Sequence, residues 1–500
     1  MGTTTATTDT ADQQPQAIRT LGIVGAGLMG KGIAQIAIQG GIEVRLFDTR
    51  QGAGEQARAE IAAMLQKLAD KGKLPAADVP ATIARLKVAG ALREFAACDA
   101  VIEAVVENLE VKKTLFAQLE EIVSAQCVLA TNTSSLSVTS IAAGCQHPAR
   151  VAGFHFFSPV PLMKIVEVVT GALTRPDVAD RLTALARQMG HTPVSASDTP
   201  GFIVNHAGRG YPTEALRILG ERIAPVADID RVLKQAAAFR MGPFELLDLT
   251  GLDVSQPVME SIYEQYYQEP RFRPSPIGRL RMSAGLLGRK SKQGFYTYVD
   301  GKKQDAPAAA VPARSDRSVW LCADDAKAFP ELVALLQSLK ITLETGAATP
   351  SAGAICLVLP VGHDVSTTAV QRGLDARRTI GLDPLFFTGC RTLMRTPLTQ
   401  ADVRDAMHAM LAADGCDVIT IDDSPGFICQ RVVASVVNIG CDIAQQGVAT
   451  PQDIDRAVTL GLGYPRGPLA MGDALGARRV LDILDALYSF YRDPRYRPSP

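Results

Sequence analysis

The chain carries no surplus of charge. Its 51 lysine and arginine residues are balanced by 52 aspartate and glutamate residues, for a net charge of −1. That balance gives no electrostatic case for nucleic acid or an anionic membrane surface as a partner. The nine cysteines are odd in number and none falls in a CxxC pair. No disulfide framework is therefore expected, and inert thiols in a reducing cytoplasm are. The six histidines form no HExxH motif and no His/Cys cluster, so a metal site has no support. No stretch approaches the roughly 18 consecutive apolar residues of a membrane span. The opening residues lack both a cationic segment and an apolar core, so no signal peptide is expected. Ala6 breaks the myristoylation pattern.

What is present is a 500-residue chain with 47% apolar residues, too long for one core and ordinary for a globular protein. Residues 1–16 read as a disordered tail. Ile18 to Val24 is a short apolar strand that runs into Gly25-Ala26-Gly27-Leu28-Met29-Gly30. A helix with Ile33, Ala34, Ile36, Ala37 and Ile38 follows, then a strand from Glu43 to Phe47 that ends at Asp48. A bare GxGxxG is only a glycine-rich turn, but here strand, loop, helix, strand and terminal acid come in order, as a dinucleotide-binding unit requires. Gly25 permits the tight turn, Gly27 lets the backbone approach a pyrophosphate, and Gly30 lets helix and strand pack closely. The helix N-terminus offers its free N–H groups to phosphate. Asp48 suits the ribose hydroxyls and would repel a 2′-phosphate, which favours NAD over NADP, with Arg50 close enough to weaken that preference.

Further along, 99–107 reads as a later strand of the same sheet, and Val128 to Ala130 as another that empties into Thr131-Asn132-Thr133-Ser134-Ser135. Strand ends are where ligands lie in such folds, which places Glu107 and the hydroxyl cluster near the cofactor. The Thr/Ser run is equally an ordinary helix cap. Then come Gly153-Phe154-His155-Phe156-Phe157 and Lys164-Ile165-Val166-Glu167-Val168-Val169. A lone histidine on an apolar strand is more often a satisfied core residue than a catalyst. A carboxylate buried among Ile165, Val166, Val168 and Val169 wants a partner, however, and His155 is the candidate. Such a pair moves protons, because the carboxylate fixes the imidazole tautomer.

The ordered set GAGLMG (25–30), VIEAVVEN (101–108), TNTSSL (131–136), GFHFFSPVPLMKIVEVV (153–169), DTPGFIVN (198–205), MGPFELLDLTGLD (241–253) and GRKSKQGFY (288–296) resembles the 3-hydroxyacyl-CoA dehydrogenases, over residues 18 to 300. The resemblance implies an α/β Rossmann-type domain followed by all-α domains, and oxidation of a 3-hydroxyacyl-CoA to a 3-oxoacyl-CoA with NAD. Carried over by position, His155 is the catalytic base and Glu167 its orienting carboxylate. Ser134 and Asn205 hydrogen-bond the substrate, and Ser134 also lies at the cofactor. Glu107, Lys112 and Lys290 contact the cofactor, and Lys71 falls near a CoA-contacting lysine. Met64 replaces a hydroxyl residue that often accompanies that lysine. Two rival readings are a dehydrogenase of free hydroxyacids, which would use a catalytic lysine, and an NAD(H)-binding structural or sensing protein without turnover.

Residues 198–251 and 423–476 match at a constant offset of 225, and Arg-Phe-Arg-Pro-Ser-Pro at 271–276 returns as Arg-Tyr-Arg-Pro-Ser-Pro at 495–500. The implied division is a dinucleotide domain at 17–198, a first helical domain at 199–298, a linker region at 299–350, a degenerate segment at 351–420 and a second helical domain at 421–500. The same offset sets Ile380, Thr392 and Gln430 where His155, Glu167 and Asn205 stand, so the second copy is expected to be non-catalytic. Shorter members of the resembled family carry one helical domain and dimerise through it. A tandem copy is expected to mimic that interface, with a homodimer or homo-oligomer as the assembly. With only 24 residues ahead of Gly25, no fused hydratase domain is expected. The two-copy form is similar to phenylacetate-route enzymes acting on 3-hydroxyadipyl-CoA. Short-chain 3-hydroxybutyryl-CoA is the other expected substrate, and Arg209 or His206 would be the cation for a distal carboxylate.

Overall fold

The computed structural model describes residues 17–304 and 310–500, so the expected tail at 1–16 lies outside the described residues. The chain forms two compact units that divide between Phe202 and Ile203.

The first unit is built on an eight-stranded sheet. Its strands are β1 (Thr20–Val24), β2 (Glu43–Phe47), β3 (Leu86–Val88), β4 (Ala100–Glu103), β5 (Val128–Thr131), β6 (Val151–Phe156), β7 (Ile165–Thr170) and β8 (Thr192–Ser197), in the order β3-β2-β1-β4-β5-β6-β7-β8. The first six follow the doubly wound order, with the topological switch between β1 and β4, where the loops after these strands diverge. Every residue of β4, β5 and β6 is buried, as expected for a parallel sheet covered on both faces. The helix Leu28–Gln39 packs on this sheet through Ile33, Ala34, Ala37 and Ile38, and its apolar spacing is helical. β7 breaks the parallel pattern by running antiparallel to β6, which sets His155 directly opposite Glu167.

The second unit holds both helical copies and a second sheet. After a short hairpin of β9 (Tyr298–Val299) and β10 (Lys302–Lys303) come β11 (Val319–Leu321), β12 (Leu343–Glu344), β13 (Ile355–Val358), β14 (Thr379–Leu382), β15 (Cys390–Arg395) and β16 (Asp417–Ile421). The last six form a sheet in the order β12-β11-β13-β14-β15-β16. The expectation of a linker over 299–350 is therefore corrected: from Val319 onward that stretch contains strands and the helices Ala323–Ala328 and Pro330–Ser338, driven by the burial of Val319, Leu321, Leu332 and Leu336. The degenerate segment expected at 351–420 keeps its strands, as the apolar run from Ala354 to Leu359 implies. β14, β15 and β16 repeat the parallel and antiparallel pairing of β6, β7 and β8.

The two helical copies share backbone detail. Gly201-Phe202 and Gly426-Phe427 have the same left-handed pair of conformations, with φ of 79° and 48° against 79° and 50°. Asp230 caps the helix Pro243–Thr250 through the N–H groups of Phe244 and Glu245, and Asp455 caps Pro468–Leu475 through those of Leu469 and Ala470. Contacts between the copies are reciprocal. Arg271 donates to the carbonyl of Arg497 at 2.9 Å, and Arg495 to the carbonyl of Arg273 at 2.8 Å. Arg273 meets Asp493 at 3.6 Å, and Arg497 meets Glu269 at 3.7 Å. Such exchange of equivalent partners is the signature of a two-fold interface, here inside one chain. At its centre the fully buried Arg431 donates to Glu214, Glu221, Ser424, Tyr491 and Tyr496.

Candidate active site

The glycine loop is built for close approach. Gly25 sits at φ 105°, and a Cβ on it would press on the carbonyl oxygen of Ala104. A Cβ on Gly30 would overlap the carbonyl oxygen of Gly25, so the loop and the helix touch only because neither has a side chain there. Gly27 faces open space and caps the helix without a side-chain bond, and no acidic residue sits in the first turn. The N–H groups of that turn are thus left for an anion. Ala26 is buried, while Leu28 and Met29 begin the helix, with Leu28 exposed.

Asp48, just past β2, closes the loop from the other side. It accepts from the N–H of Ala26 at 2.8 Å, the N–H of Arg50 at 2.8 Å and the Arg50 Nε at 3.2 Å. Burial pushes its carboxyl up, but these donors and the Arg50 charge hold it below its ordinary value, so it stays an acceptor.

Beyond β4 an acidic and hydroxyl network forms. The Oε1 atom of Glu107 accepts from the Thr133 and Ser135 hydroxyls at 2.7 and 2.9 Å, and from the N–H groups of Ser134 and Ser135 at 2.9 and 3.0 Å. Burial raises its carboxyl, yet Lys112 and these donors bring it below the usual range. Lys112 is 1% exposed. Its ammonium meets Glu103 at 2.6 Å and Glu107 at 3.3 Å. The lysine therefore fixes Glu107 from behind. Sequence reasoning passed over Glu103, whose other oxygen accepts from Thr131, although an acid at the end of an apolar strand was its signal. It also missed Asn132, which accepts the Phe156 N–H at 2.8 Å and ties the hydroxyl loop to β6. Asp198 was missed as well; it accepts from the Ser137 hydroxyl and from the N–H groups of Val138 and Thr139.

On the neighbouring strands, His155 Nδ1 lies 2.6 Å from Glu167 Oε2. His155 is 4% exposed and Glu167 fully buried. The imidazole is flanked by the rings of Phe157, at 4.4 Å between centroids, and Phe202, at 5.8 Å. With Nδ1 held by a carboxylate, the ring presents Nε2 as its free proton-accepting atom. A dry wall of phenylalanines strengthens that electrostatic pairing.

The other expected residues lie elsewhere. Lys71 is exposed at the end of the helix Ala53–Asp70, which also carries the exposed Met64. Asn205, in the helix Val204–Ala207, belongs to the second unit, as does Lys290, whose ammonium pairs with Asp253 beside Gly251. His206 is fully buried, bonded to the Tyr266 hydroxyl at 3.0 Å and packed on Phe272. Its counterpart at the repeat offset is Arg431, which bonds Tyr491 in the same way. That structural employment corrects the expectation of His206 as a cation for substrate. The alignment of Ile380 with His155 is also corrected. Asp383 is the residue opposite Thr392, its N–H donating to the Thr392 carbonyl at 3.1 Å. The β14–β15 connection is three residues shorter than its counterpart, so the constant offset fails there.

Residues 20–199 match the family model of the 3-hydroxyacyl-CoA dehydrogenase NAD binding domain, and residues 201–298 and 426–500 match that of the C-terminal domain. The chain is 38% identical over 96% of both chains to a 3-hydroxyadipyl-CoA dehydrogenase of Escherichia coli. It is 42% identical, over 55% of its own length and 99% of the relative's, to a probable 3-hydroxybutyryl-CoA dehydrogenase of Deinococcus radiodurans. A crystal structure of a 3-hydroxybutyryl-CoA dehydrogenase from Escherichia coli superposes with a TM-score of 0.85 at 36% identity, covering 97% of each chain. The protein is thus an oxidoreductase of the nicotinamide-dependent class, and NAD is its cofactor. Within that class it belongs to the 3-hydroxyacyl-CoA dehydrogenase family. No helix among the described residues is long and apolar enough to cross a membrane, and no group of His, Cys, Asp or Glu there could hold a metal ion.

Proposed function

We propose that His155 is the general base of this dehydrogenase and Glu167 the carboxylate that orients it. The observation that carries the reading is their buried cross-strand contact at 2.6 Å. Bound NAD supplies the hydride acceptor for the carbon that bears the substrate hydroxyl. His155 Nε2 takes the hydroxyl proton as that carbon becomes a ketone, and Glu167 stabilises the imidazolium. In the reverse direction the imidazolium returns the proton. Ser134 and Asn205 hydrogen-bond the substrate near the reacting carbon, in line with the family resemblance. Gly25 to Gly30 cradle the pyrophosphate and Asp48 takes the ribose. Glu107, set by Lys112, lies at the cofactor with Ser134 and Lys290, and Lys71 approaches the CoA end.

The substrate is 3-hydroxyadipyl-CoA or 3-hydroxybutyryl-CoA: of the two relatives that match along the whole chain, one carries the adipyl name and the other the butyryl name. The internal two-fold occupies the helical face, so any homodimer or larger homo-oligomer forms through another surface. Nine free cysteines fit a cytoplasmic location. The test is NADH appearance with each acyl-CoA, for the intact protein and His155→Ala. Turnover that vanishes in the variant supports the reading. Equal rates sink the assignment of His155. No turnover with any acyl-CoA leaves an NAD-binding protein without this activity.

A further inference from the structure

We propose that Arg209 is the specificity residue for an acyl chain that ends in a carboxylate. This rests on the dehydrogenase reading above and goes beyond it to a recognition group. Arg209 follows Asn205 by four residues, past the end of the helix Val204–Ala207 and at the cap of the helix Gly210–Gly220. Its Nε donates to the Asn205 carbonyl at 2.7 Å, which anchors the guanidinium to that residue. The terminal nitrogens meet no aspartate or glutamate among the described residues. The side chain is only partly exposed, and burial, eased slightly by Tyr464, lowers its ordinarily very high pKa to about 10.

A half-buried guanidinium without a counter-ion is costly to keep. Its neighbours are the Asn205 carbonyl and Tyr464 of the second copy, and neither supplies a counter-charge. The framework arginines 271, 431 and 495 each lie near a carboxylate and bind an element of the other copy, whereas the repeat offset puts Ala434 where Arg209 stands. The remaining rationale is a ligand anion. A planar guanidinium with two free terminal nitrogens takes a carboxylate in a bidentate fork.

The experiment compares kcat/KM for 3-hydroxyadipyl-CoA and 3-hydroxybutyryl-CoA in the intact protein, Arg209→Met and Arg209→Lys. The wild type is expected to prefer the adipyl substrate. In Arg209→Met the adipyl-to-butyryl ratio is expected to fall about 30- to 100-fold, the loss of one charge-assisted pair. The change should lie mainly in KM, and Arg209→Lys should restore part of it because the charge returns without the fork. A parallel loss on both substrates in both variants overturns the proposal, since Arg209 then acts only by positioning Asn205. A wild type that turns over both substrates without preference also overturns it, while leaving the dehydrogenase reading intact. A wild type inactive on every acyl-CoA overturns both.

Discussion

Asp383 faces Thr392 across β14 and β15 in the register in which His155 faces Glu167 across β6 and β7. Gln430, the offset partner of Asn205, donates to Asp383 at 2.9 Å and accepts from the Gly362 N–H. The second copy thus retains the scaffold of a site and fills it with buried polar groups: Gln430 and Asp383 bond each other, while the Thr392 hydroxyl and the second Asp383 oxygen have no hydrogen-bond partner among the described residues. It has no histidine there and no glycine loop ahead of it.

That filled site has a pH signature. Burial raises the Asp383 carboxyl to about 6, against the bonds from Gln430, Leu385 and Phe386 that lower it, whereas an unfolded aspartate titrates near about 3.9. Between these values the folded protein holds a proton that the unfolded chain has lost. Stability from this group is therefore full below about pH 4 and is lost as pH rises through 6, a cost of about 3 kcal/mol at neutrality. Asp230, raised to about 7 by burial, acts with the same sign, so the comparison must be differential. Asp383→Asn should gain stability over wild type at pH 7.5 and lose that advantage at pH 4, measured by thermal melting. An advantage that does not change with pH would contradict this.

Gly30→Ala should destabilise the first unit by about 3 kcal/mol, because the added methyl has the Gly25 carbonyl in its place and backbone cannot yield cheaply. NADH binding by fluorescence titration should be lost with it. Gly52→Ala, where a Cβ meets nothing, should leave NADH binding in place, with only the strain of its φ of 77°.

Asp48→Ala should raise the KM for NAD by at least about tenfold, the loss of one good hydrogen-bonding acid. The NADP-to-NAD ratio of kcat/KM should rise, because Arg50 is released from its carboxylate. Unchanged cofactor preference in a steady-state comparison would place the ribose elsewhere.

Arg431→Met should destabilise the second unit by about 3–5 kcal/mol, since Glu214 keeps its buried charge without its partner. Adding Glu214→Gln should recover part of that loss in urea unfolding, the mark of a direct coupling. A chain cut after residue 304 exposes the face that the second copy covers. It should self-associate or lose stability, and a stable monomer in light scattering would refute the intramolecular two-fold.

How much could be read from the residues differs by element. The glycine loop and Asp48 were legible because turn, helix dipole and terminal acid have fixed spacing. His155 and Glu167 were legible as partners because an acid among Ile165, Val166, Val168 and Val169 has few ways to survive burial. Of the second sheet only the apolar run from Ala354 to Leu359 was. Its strands are short, Val319–Leu321 being three residues, and the alanine- and proline-rich stretch before them masks the periodicity. Asp383 was missed because a constant offset cannot register a shortened connection. Glu103 looks like a surface charge until the fold closes over it.

His155 as the proton acceptor is the centre of the proposed mechanism. The direct measurement is kcat with the preferred acyl-CoA, alongside the NADH dissociation constant, for wild type, His155→Gln and Glu167→Gln. The expected result is a loss of about 10³-fold in kcat for His155→Gln, a smaller loss for Glu167→Gln and NADH affinity within about threefold of wild type in both. Wild-type kcat in His155→Gln, or a loss confined to NADH binding, would contradict it.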